Sequence, residues 1–380
     1  GKNDIRTAGM RKNGVNREIR AVSGGLSAID GVRISKVFLG EKNVQLALFS
    51  VDGLSPIAVC APSHSLFEEE SRLAETARAV CFIIGATSVA VSSSEQLTRS
   101  LKATLAEKLS CKFSDVLLFS IGEINGAFPA GEIQEKLPKL VEDLKSLKEI
   151  KERSFAYAFD LGDFPCLLSG VSFFKSQNFN GLPLSLWLAT DVCISPKLLK
   201  TALVSAYKDT FGMLGRKESA FDFLGIVSTQ KAGNAILDRE DGEYKKFVSA
   251  LKKVFEELAK SFAVGAGERV AKIFVQGGRS KQAARTAVKR LTIAFAERKE
   301  NGTGLLTEIF SAIGKDLSVG NLLRASVYIQ SKTGMLVLCE EGISLPVNAV
   351  RMQEILTGEN LRLSLNFHEG NFSASSWVRI

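Results

Sequence analysis

Apolar and polar positions along the chain follow two periods, one typical of strands and the other of helices. Short apolar runs such as "NVQLALFSV", "PIAVCA" and "DVLLFS" have the length of buried strands, and "DGLS" between the first two predicts a hairpin. The segment "GEYKKFVSALKKVFEELAKSFAVG" has apolar residues three and four apart, which predicts an amphipathic helix. The first strand pattern begins near Asn43.

Further helices are predicted where apolar residues recur with helical spacing between capping residues. Ser195 followed by Pro196 places a capping hydroxyl and a proline at the first helical position, which opens a helix. Three other segments predict helices in the same way, and Gly85 would close the first: "LFEEESRLAETARAVCFIIG", "SSEQLTRSLKATLAEKLS" and "SKQAARTAVKRLTIAFAERK".

The remaining strands come in pairs and single runs. They are "SFAYAFDLGDFPCLLSGVSFF", "SLWLATD", "RVAKIFVQGG", the hairpin "ASVYIQSKTGMLVLCEE" and "LRLSLNF". Because strands, helices and hairpins mix, the order favours an α+β fold with layered, mixed sheets over a doubly wound parallel sheet. We expect a flexible arm over residues 1–20 and two lobes over 21–190 and 191–380.

The amino-acid composition limits the kinds of functional site that the sequence predicts. Hydrophobic residues make up 45% and charged residues 24% of the 380 positions, an ordinary globular balance. No apolar run approaches the length of a membrane span. The six cysteines lie in apolar runs without a CxxC pair, as expected of reduced core thiols in an intracellular protein. With only His64 and His368, a zinc site or a histidine-based triad is not predicted, and neither is a cofactor.

The net charge of the chain is +8 at pH 7, and its first twenty residues hold six basic and two acidic side chains. This arm has no apolar periodicity, which predicts a docking tail. Lys281, Arg285 and Lys289 recur every four residues and form a basic stripe, either a solvated helix face or a docking site for a partner protein or nucleic acid. An RNA-associated basic protein is therefore one interpretation, and it depends on charge alone.

Two loops have the composition of functional sites. "VGAGERVAK" has the glycines of a phosphate loop, but it follows a predicted helix and opens a strand, so a glycine helix terminus explains it more simply. "FFKSQNFNGLPLSLWLATD" brings polar, glycine-bearing backbone into a core strand, as active-site loops do, yet it contains no obvious nucleophile, base or metal ligand.

Several short segments, in the same order, resemble the ornithine acetyltransferases, also called glutamate N-acetyltransferases. They are "VLLFSIGEINGAFP", "ATDVCISPKLLKTAL", "GERVAKIFVQGGRSKQAARTAVKRL" and "LRLSLNFHEGNFSASSWV". The resemblance runs from about residue 21 onward and implies the layered, DOM-like α/β sandwich of that family. It also implies a precursor that breaks its own Ala–Thr bond and a freed threonine that carries acetyl from N-acetylornithine to glutamate.

Placing the family's functional residues on this chain gives a partial match. Lys175 matches a substrate-binding lysine, and Glu268 and Lys272 match the family's "GEGATK" glutamate and lysine. Gly122 matches the oxyanion glycine, but the threonine before it is replaced by Ile121.

The nucleophilic threonine falls on Pro183, which has no hydroxyl and cannot attack a carbonyl. Sliding a gap would place Ser185 there instead. We therefore expect an uncleaved, catalytically degenerate relative, a pseudoenzyme that serves as a structural subunit of a larger complex. The alternative is an active glutamate N-acetyltransferase of arginine biosynthesis that uses Ser185. The resemblance is compatible with the mitochondrial matrix and with the cytoplasm.

Overall fold

The computed structural model describes residues 19–40, 44–60, 69–85, 94–122, 128–144, 154–172, 184–214, 222–264 and 269–380. These residues form fifteen strands: β1 (Arg20–Ala21), β2 (Val32–Leu39), β3 (Val44–Cys60), β4 (Thr76–Ile84), β5 (Val116–Ile121), β6 (Ser154–Leu161), β7 (Phe164–Ser172), β8 (Ser185–Thr190), β9 (Phe223–Ser228), β10 (Val270–Gly278), β11 (Ser326–Ser331), β12 (Gly334–Glu340), β13 (Ile343–Ser344), β14 (Arg362–Asn366) and β15 (Phe372–Arg379).

The same residues form eight α-helices. They are α1 (Glu69–Leu73), α2 (Ser94–Leu109), α3 (Ala130–Asp143), α4 (Pro196–Asp209), α5 (Gly242–Val264), α6 (Lys281–Ala296), α7 (Leu305–Ile313) and α8 (Ala349–Thr357). Parallel and antiparallel pairs occur together in both sheets, for example β8 with β9 and β7 with β8. The predicted α+β class with mixed sheets and hairpins is therefore confirmed.

The first sheet has nine strands in the order β1-β6-β7-β8-β9-β3-β4-β5, with β2 also paired to β3. The hairpin predicted at "DGLS" is wrong, because β3 runs through this segment as one 17-residue strand. Its pairing with β4 shifts register between Ser50 and Ser55. The early half of β3 pairs with β2, and the late half, from Ile57, pairs with β9.

Aromatic side chains from distant strands of this sheet meet in one core. Phe82 of β4 lies 5.4 Å from Trp187 of β8 and 5.2 Å from Phe223 of β9, measured between ring centroids. Phe119 of β5 lies 4.8 Å from Phe223. The β8–β9 part and the β4–β5 part of the sheet therefore face each other across a buried aromatic layer, which is the sandwich interior of this unit.

Helices α2 and α3 cover the other face of β2 to β5. Leu105, Leu137 and Leu140 are fully buried in a cluster with Leu46 and Leu118. The helix predicted for "LFEEESRLAETARAVCFIIG" is wrong over its second half. Of its described residues, only those of α1 are helical, and β4 forms because "ARAVCFII" is buried on both faces between β3 and β5.

The second sheet has six strands in the order β13-β12-β11-β14-β10-β15. One face of β10 carries Ala271, Ile273 and Val275, which are buried against Ala287 and Leu291 of α6. The predicted hairpin over β11 and β12 is confirmed, with Ser331 opposite Gly334 at its turn. The other face of this sheet carries polar and aromatic side chains.

The described chain divides into two compact units. The first runs to residue 172 and continues through 184–205 and 222–251, and the second holds 206–214 and 252–380. The predicted lobe boundary at 190/191 lies inside the first unit, because β8 and β9, on either side of it, pair in parallel.

The prediction that strands begin near Asn43 is wrong, since β1 and β2 precede it. Arg20 and Ala21 pair with β6, so the predicted arm ends in a strand, and its residues before 19 lie outside the described residues. Among the helices that the structure describes, none combines the length and the hydropathy that a membrane span requires.

Candidate functional site

The first strand residue of β8 is Ser185, the alternative nucleophile. It shares a face of β8 with Trp187 two residues later, and Trp187 belongs to the sandwich interior. The register partner of Ser185 is Phe223, whose ring contacts Phe119 of β5. The start of β8 therefore lies beside a residue of β9 whose ring reaches β5 across the interior of the first unit.

Ser185 is only 3% exposed. Within the part of the chain that the structure describes, neither its Oγ nor the Nε1 of Trp187 has a hydrogen-bond partner. No described imidazole, carboxylate or amine is hydrogen-bonded to this hydroxyl. A serine nucleophile needs such a base, so the described surroundings of Ser185 leave its hydroxyl unactivated.

Buried carboxylates fix both ends of β8. Asp222 accepts a hydrogen bond from the backbone N–H of Leu184 at 2.6 Å, just before the strand. Asp191, just after it, accepts from the backbone N–H of Leu167 at 2.9 Å. Thr190 donates its hydroxyl to the carbonyl of Leu167 at 2.8 Å. These side chains are engaged in holding the strand in the sheet.

Gly122 directly follows β5 and is buried. The carbonyl of Ile121 accepts a hydrogen bond from the backbone N–H of Gly85 at 2.7 Å. The Ile121 side chain is 1% exposed and packs in the same interior as Phe119. Where the resemblance implies a threonine hydroxyl, the interior therefore holds an apolar side chain.

Lys272 lies on β10 in the second unit, on the face opposite the α6 core. It is the register partner of Trp377 on β15 and of Arg362 on β14. Arg362 is in turn the partner of Gln330 on β11. Arg362, Trp377 and Gln330 were not predicted as site residues from the sequence. Each of them occupies a polar or amphipathic position in a strand with alternating polarity. That pattern shows which face of the strand the residue is on, but it does not indicate which strands are neighbours.

Comparison with known families decides the relationship. The profile of the ArgJ family matches residues 184–379, more than half of the chain. The chain belongs to the ArgJ family. The match begins one residue after Pro183, at the backbone position that leads into β8. The predicted resemblance to ornithine acetyltransferases is thereby confirmed.

Two ArgJ proteins illustrate the distance within the family. The arginine biosynthesis bifunctional protein ArgJ of Staphylococcus epidermidis is 24% identical over 206 residues, covering 50% of this chain and 49% of that protein. The protein of the same name from Caldanaerobacter subterraneus subsp. tengcongensis is 23% identical over 308 residues, covering 73% and 74%. The chain thus spans about half the length of the first of these curated relatives.

Proteins of known structure are also similar to this chain, at lower sequence identity. The crystal structure of the arginine biosynthesis bifunctional protein ArgJ from Bacillus halodurans has a TM-score of 0.44 and 21% identity, covering 50% of this chain and 90% of that one. A Burkholderia sp. beta-aminopeptidase has a TM-score of 0.43 and 11% identity, covering 67% and 89%.

Three positions assigned from the ArgJ resemblance, Lys175, Pro183 and Glu268, lie outside the described residues. Their roles in a site remain predictions. The described residues bring Ser185 and the Ile121–Gly122 pair into the interior of the first unit, and they place Lys272 in the second sheet.

The basic stripe on α6 is partly used within the second unit. Arg285 donates to Asp209 at the end of α4, and Lys281 lies 3.4 Å from the same carboxylate. Lys289 is exposed. Lys252 of α5 also contacts Asp209. Burial alone would raise the pKa of the Asp209 carboxyl, but hydrogen bonds from Lys252 and Arg285 outweigh it and leave this pKa below its ordinary value.

The described part of the chain contains no cluster of three His, Cys, Asp or Glu side chains that could hold a metal ion. The six cysteines form no disulfide, and Cys60, Cys81, Cys166 and Cys339 are buried. Burial raises the pKa of the Cys81 thiol to about 12, so this sulfur stays protonated and unreactive at neutral pH.

Proposed function

We propose that this ArgJ-family chain performs no acetyl transfer and serves as a structural subunit of a larger assembly. The observation that carries the proposal is the state of Ser185. Its hydroxyl is the alternative to the missing threonine, and it is 3% exposed in an aromatic interior without a hydrogen-bonded base in the described residues.

An acyl-transfer nucleophile must meet two requirements. A base within about 2.6–3.2 Å must take its proton, and the substrate carbonyl must reach the oxygen. Among the described residues, the Ser185 hydroxyl has no base within hydrogen-bond reach, and at 3% exposure it is closed to a substrate carbonyl. Ser185 is also fixed at the start of β8, where Asp222 holds the preceding backbone N–H.

The residues around Ser185 support the same conclusion. Pro183, which aligns with the family's threonine, cannot form an acyl ester because it has no hydroxyl. Ile121 supplies no hydroxyl beside Gly122. Loss of one oxyanion-hole donor alone typically costs about 2.7–4 kcal/mol of transition-state stabilisation. Each change removes a separate part of the reaction, so their combination favours a non-catalytic role.

The test is a direct assay of acetyl transfer from N-acetylornithine to glutamate, with product separated by chromatography. The ArgJ protein of Staphylococcus epidermidis, assayed in parallel, is the positive control. We expect no product above the protein-free background. Turnover that disappears in Ser185→Ala would overturn the proposal in favour of an active glutamate N-acetyltransferase of arginine biosynthesis.

The assembly role is supported by the basic character of the chain. With a net charge of +8 and a basic arm, it is suited to an acidic partner surface. Recovery of the endogenous protein in one large complex, unchanged by nuclease treatment, is the expected result. Release of the protein by nuclease would instead support the RNA-associated interpretation.

A further inference from the structure

Four neighbouring strands of the second sheet place a row of side chains across one face. The row runs from Trp377 on β15 through Lys272 on β10 and Arg362 on β14 to Gln330 on β11, each residue being the register partner of the next. Neighbouring strands lie about 4.8 Å apart, so this is a continuous strip. It consists of an aromatic ring, two cations and an amide.

This strip forms part of the wall of a cleft of about 590 Å³. The cleft is completed by Arg269 and by the turn from Gly358 to Leu361 that leads into β14. Pockets of about 300–1,000 Å³ are the usual size for small organic ligands. All of its lining residues belong to the second unit, so the cleft depends on this unit alone.

The charge of the lining is unbalanced. Arg269, Lys272 and Arg362 face a single lining carboxylate, Glu359, and that carboxylate is paired with Lys332. Like charges on directly opposed strand positions destabilise a sheet, and Lys272 and Arg362 are such neighbours. Within the described residues, no carboxylate lies within ion-pair distance of the Lys272 ammonium or the Arg362 guanidinium. A bound anion would relieve this repulsion.

Neighbouring side chains hold the two central cations in place. The Arg362 guanidinium lies 4.4 Å from the ring centroid of Phe274, and its Nε donates to Ser364 at 3.0 Å. The Lys272 ammonium lies 5.8 Å from the ring centroid of Trp377. Stacking of this kind restricts the side chains before any ligand arrives, which reduces the entropy cost of binding.

Arg269 has a different role in the cleft. Its Nη1 donates to the carbonyl of Leu356 at 2.9 Å, and its Nη2 donates to the carbonyl of Gly358. Arg269 therefore shapes the turn that forms the rim. The groups that remain to bind an anion are those of Lys272 and Arg362, beside the indole of Trp377.

Glu256 of α5 is an acidic neighbour of this face. Burial raises the pKa of Glu256, and the charge of Lys272 lowers it in part, so the two groups interact electrostatically. No described ion pair joins the two side chains.

We propose that this cleft binds a nucleotide, with its phosphate between Lys272 and Arg362 and its base against Trp377. Arginine and lysine together suit a phosphate, and an indole offers a surface for stacking a planar base. The amides of Gln330 and Asn360 supply donors and acceptors for polar ring edges. The bound group is a free nucleotide or one nucleotide of a single-stranded RNA, since both present this chemistry.

The chain offers a built-in probe, because it has two tryptophans and only Trp377 lines the cleft. Trp187 is 1% exposed in the first unit and serves as a constant background. The full chain is titrated with adenosine monophosphate, adenosine, inorganic phosphate and a short single-stranded RNA, and quenching of tryptophan fluorescence is followed. Isothermal calorimetry checks each affinity.

Three variants give the test its specificity. Lys272→Gln and Arg362→Gln each remove one cation of the strip, and Lys315→Gln removes an exposed cation that follows α7, a helix packed on the opposite face of the sheet. Far-UV circular dichroism and a thermal melt establish that each variant is folded. Because two independent cleft variants are used, a folding failure of one leaves the other to decide.

We expect saturable quenching by adenosine monophosphate and at least tenfold weaker binding in each cleft variant, equal to about 1.4 kcal/mol. Lys315→Gln should bind as the parent chain does, and adenosine and phosphate should bind more weakly than the nucleotide. Tight binding of RNA with the same loss in both cleft variants would identify RNA as the source of the nucleotide. Absence of saturable binding by nucleotide and RNA, or equal losses in Lys315→Gln, would overturn the proposal.

Discussion

The Nε of Arg285 donates a 2.8 Å hydrogen bond to the carboxylate of Asp209, which joins α6 to the last residue of α4. The carboxylate side chain is 18% exposed and also contacts Lys252 and Lys281. A carboxylate at a helix C-terminus is unfavourable on its own, because it faces the negative end of the helix dipole. Three cations around it reverse this penalty.

Replacing Asp209 with Asn should lower the free energy of unfolding by about 2 kcal/mol, since hydrogen bonds to a charged, half-buried group are lost. Chemical denaturation monitored by circular dichroism measures the change. Asp316→Asn is the matched control, because Asp316 pairs with Arg290 in a more exposed setting. An effect of Asp209→Asn no larger than that of the control would contradict the prediction.

The Asp209 cluster also predicts a dependence on pH. Because the pKa of this carboxyl is lowered in the folded chain, its ionised form stabilises the fold. That contribution is complete above the pKa of an unfolded aspartate, about 3.9, and is lost as the pH falls through the lower folded value. Below about pH 4 the gap in stability between the parent and Asp209→Asn should narrow. A gap that stays constant down to pH 2 would exclude this linkage.

Ser185→Ala should leave the fold intact and should not lower the melting temperature. The hydroxyl is buried without a hydrogen-bond partner in the described residues, so the protein bears its desolvation cost without compensation. Removing it should stabilise the chain by about 1 kcal/mol or have no effect. Differential scanning calorimetry is the measurement. A clear loss of stability would mean that Ser185 makes a required hydrogen bond.

Gly225→Ala should destabilise the first unit by about 1–3 kcal/mol through overpacking. A Cβ at Gly225 would come within 2.7 Å of the indole of Trp187, which is enclosed by other aromatic rings. Gly131→Ala in the first turn of α3 is the control, because a Cβ there meets nothing within 4 Å. The control should be neutral or stabilising by up to about 1 kcal/mol, as alanine favours helices.

The chain should remain uncleaved. Denaturing mass spectrometry of the full chain should give one species near 41.1 kDa. The reason is chemical: Pro183 has no hydroxyl with which to attack the preceding carbonyl. Two fragments that meet near residue 184 would contradict this and would revive Ser185 as a nucleophile.

Removing residues 1–18 should preserve the melting temperature but weaken incorporation into a larger assembly. The cut leaves Arg20 and Ala21 to pair with β6, so the sheet is unchanged. A pull-down compares the full chain, the truncation and a Lys281/Lys289→Glu variant, which leaves the Arg285–Asp209 contact in place. Equal recovery of partners with and without the arm would exclude the docking tail.

The local pattern of apolar and polar residues predicted most helices and strands. It failed where a strand is buried on both faces, because apolar and polar residues then no longer alternate. The segment Thr76–Ile84 is a central strand, so its apolar positions show neither a strand nor a helix period, and a helix was predicted. At "DGLS" the turn-forming residues are real, but neighbours on both sides keep β3 extended through them.

Features of the site could be predicted from the sequence only where they depend on the chemistry of a single residue. The lack of a hydroxyl at Pro183 is evident from the sequence, whereas the burial of Ser185 depends on the position of β8 between β7 and β9 in the sheet. The strip joins Lys272 to Arg362 and Trp377, which lie about 90 and about 105 residues later in the sequence. These contacts depend on the register between strands, which cannot be determined from any single segment of the sequence.

The position of β9 has a consequence for synthesis. Within the described strands, β9 alone joins β8 to β3 and so links the two halves of the first sheet. Until Ser228 has left the ribosome, β8 and the late half of β3 both present unpaired strand edges, which invite pairing with other nascent chains. This chain should therefore need protection by a chaperone during most of the translation of its first unit.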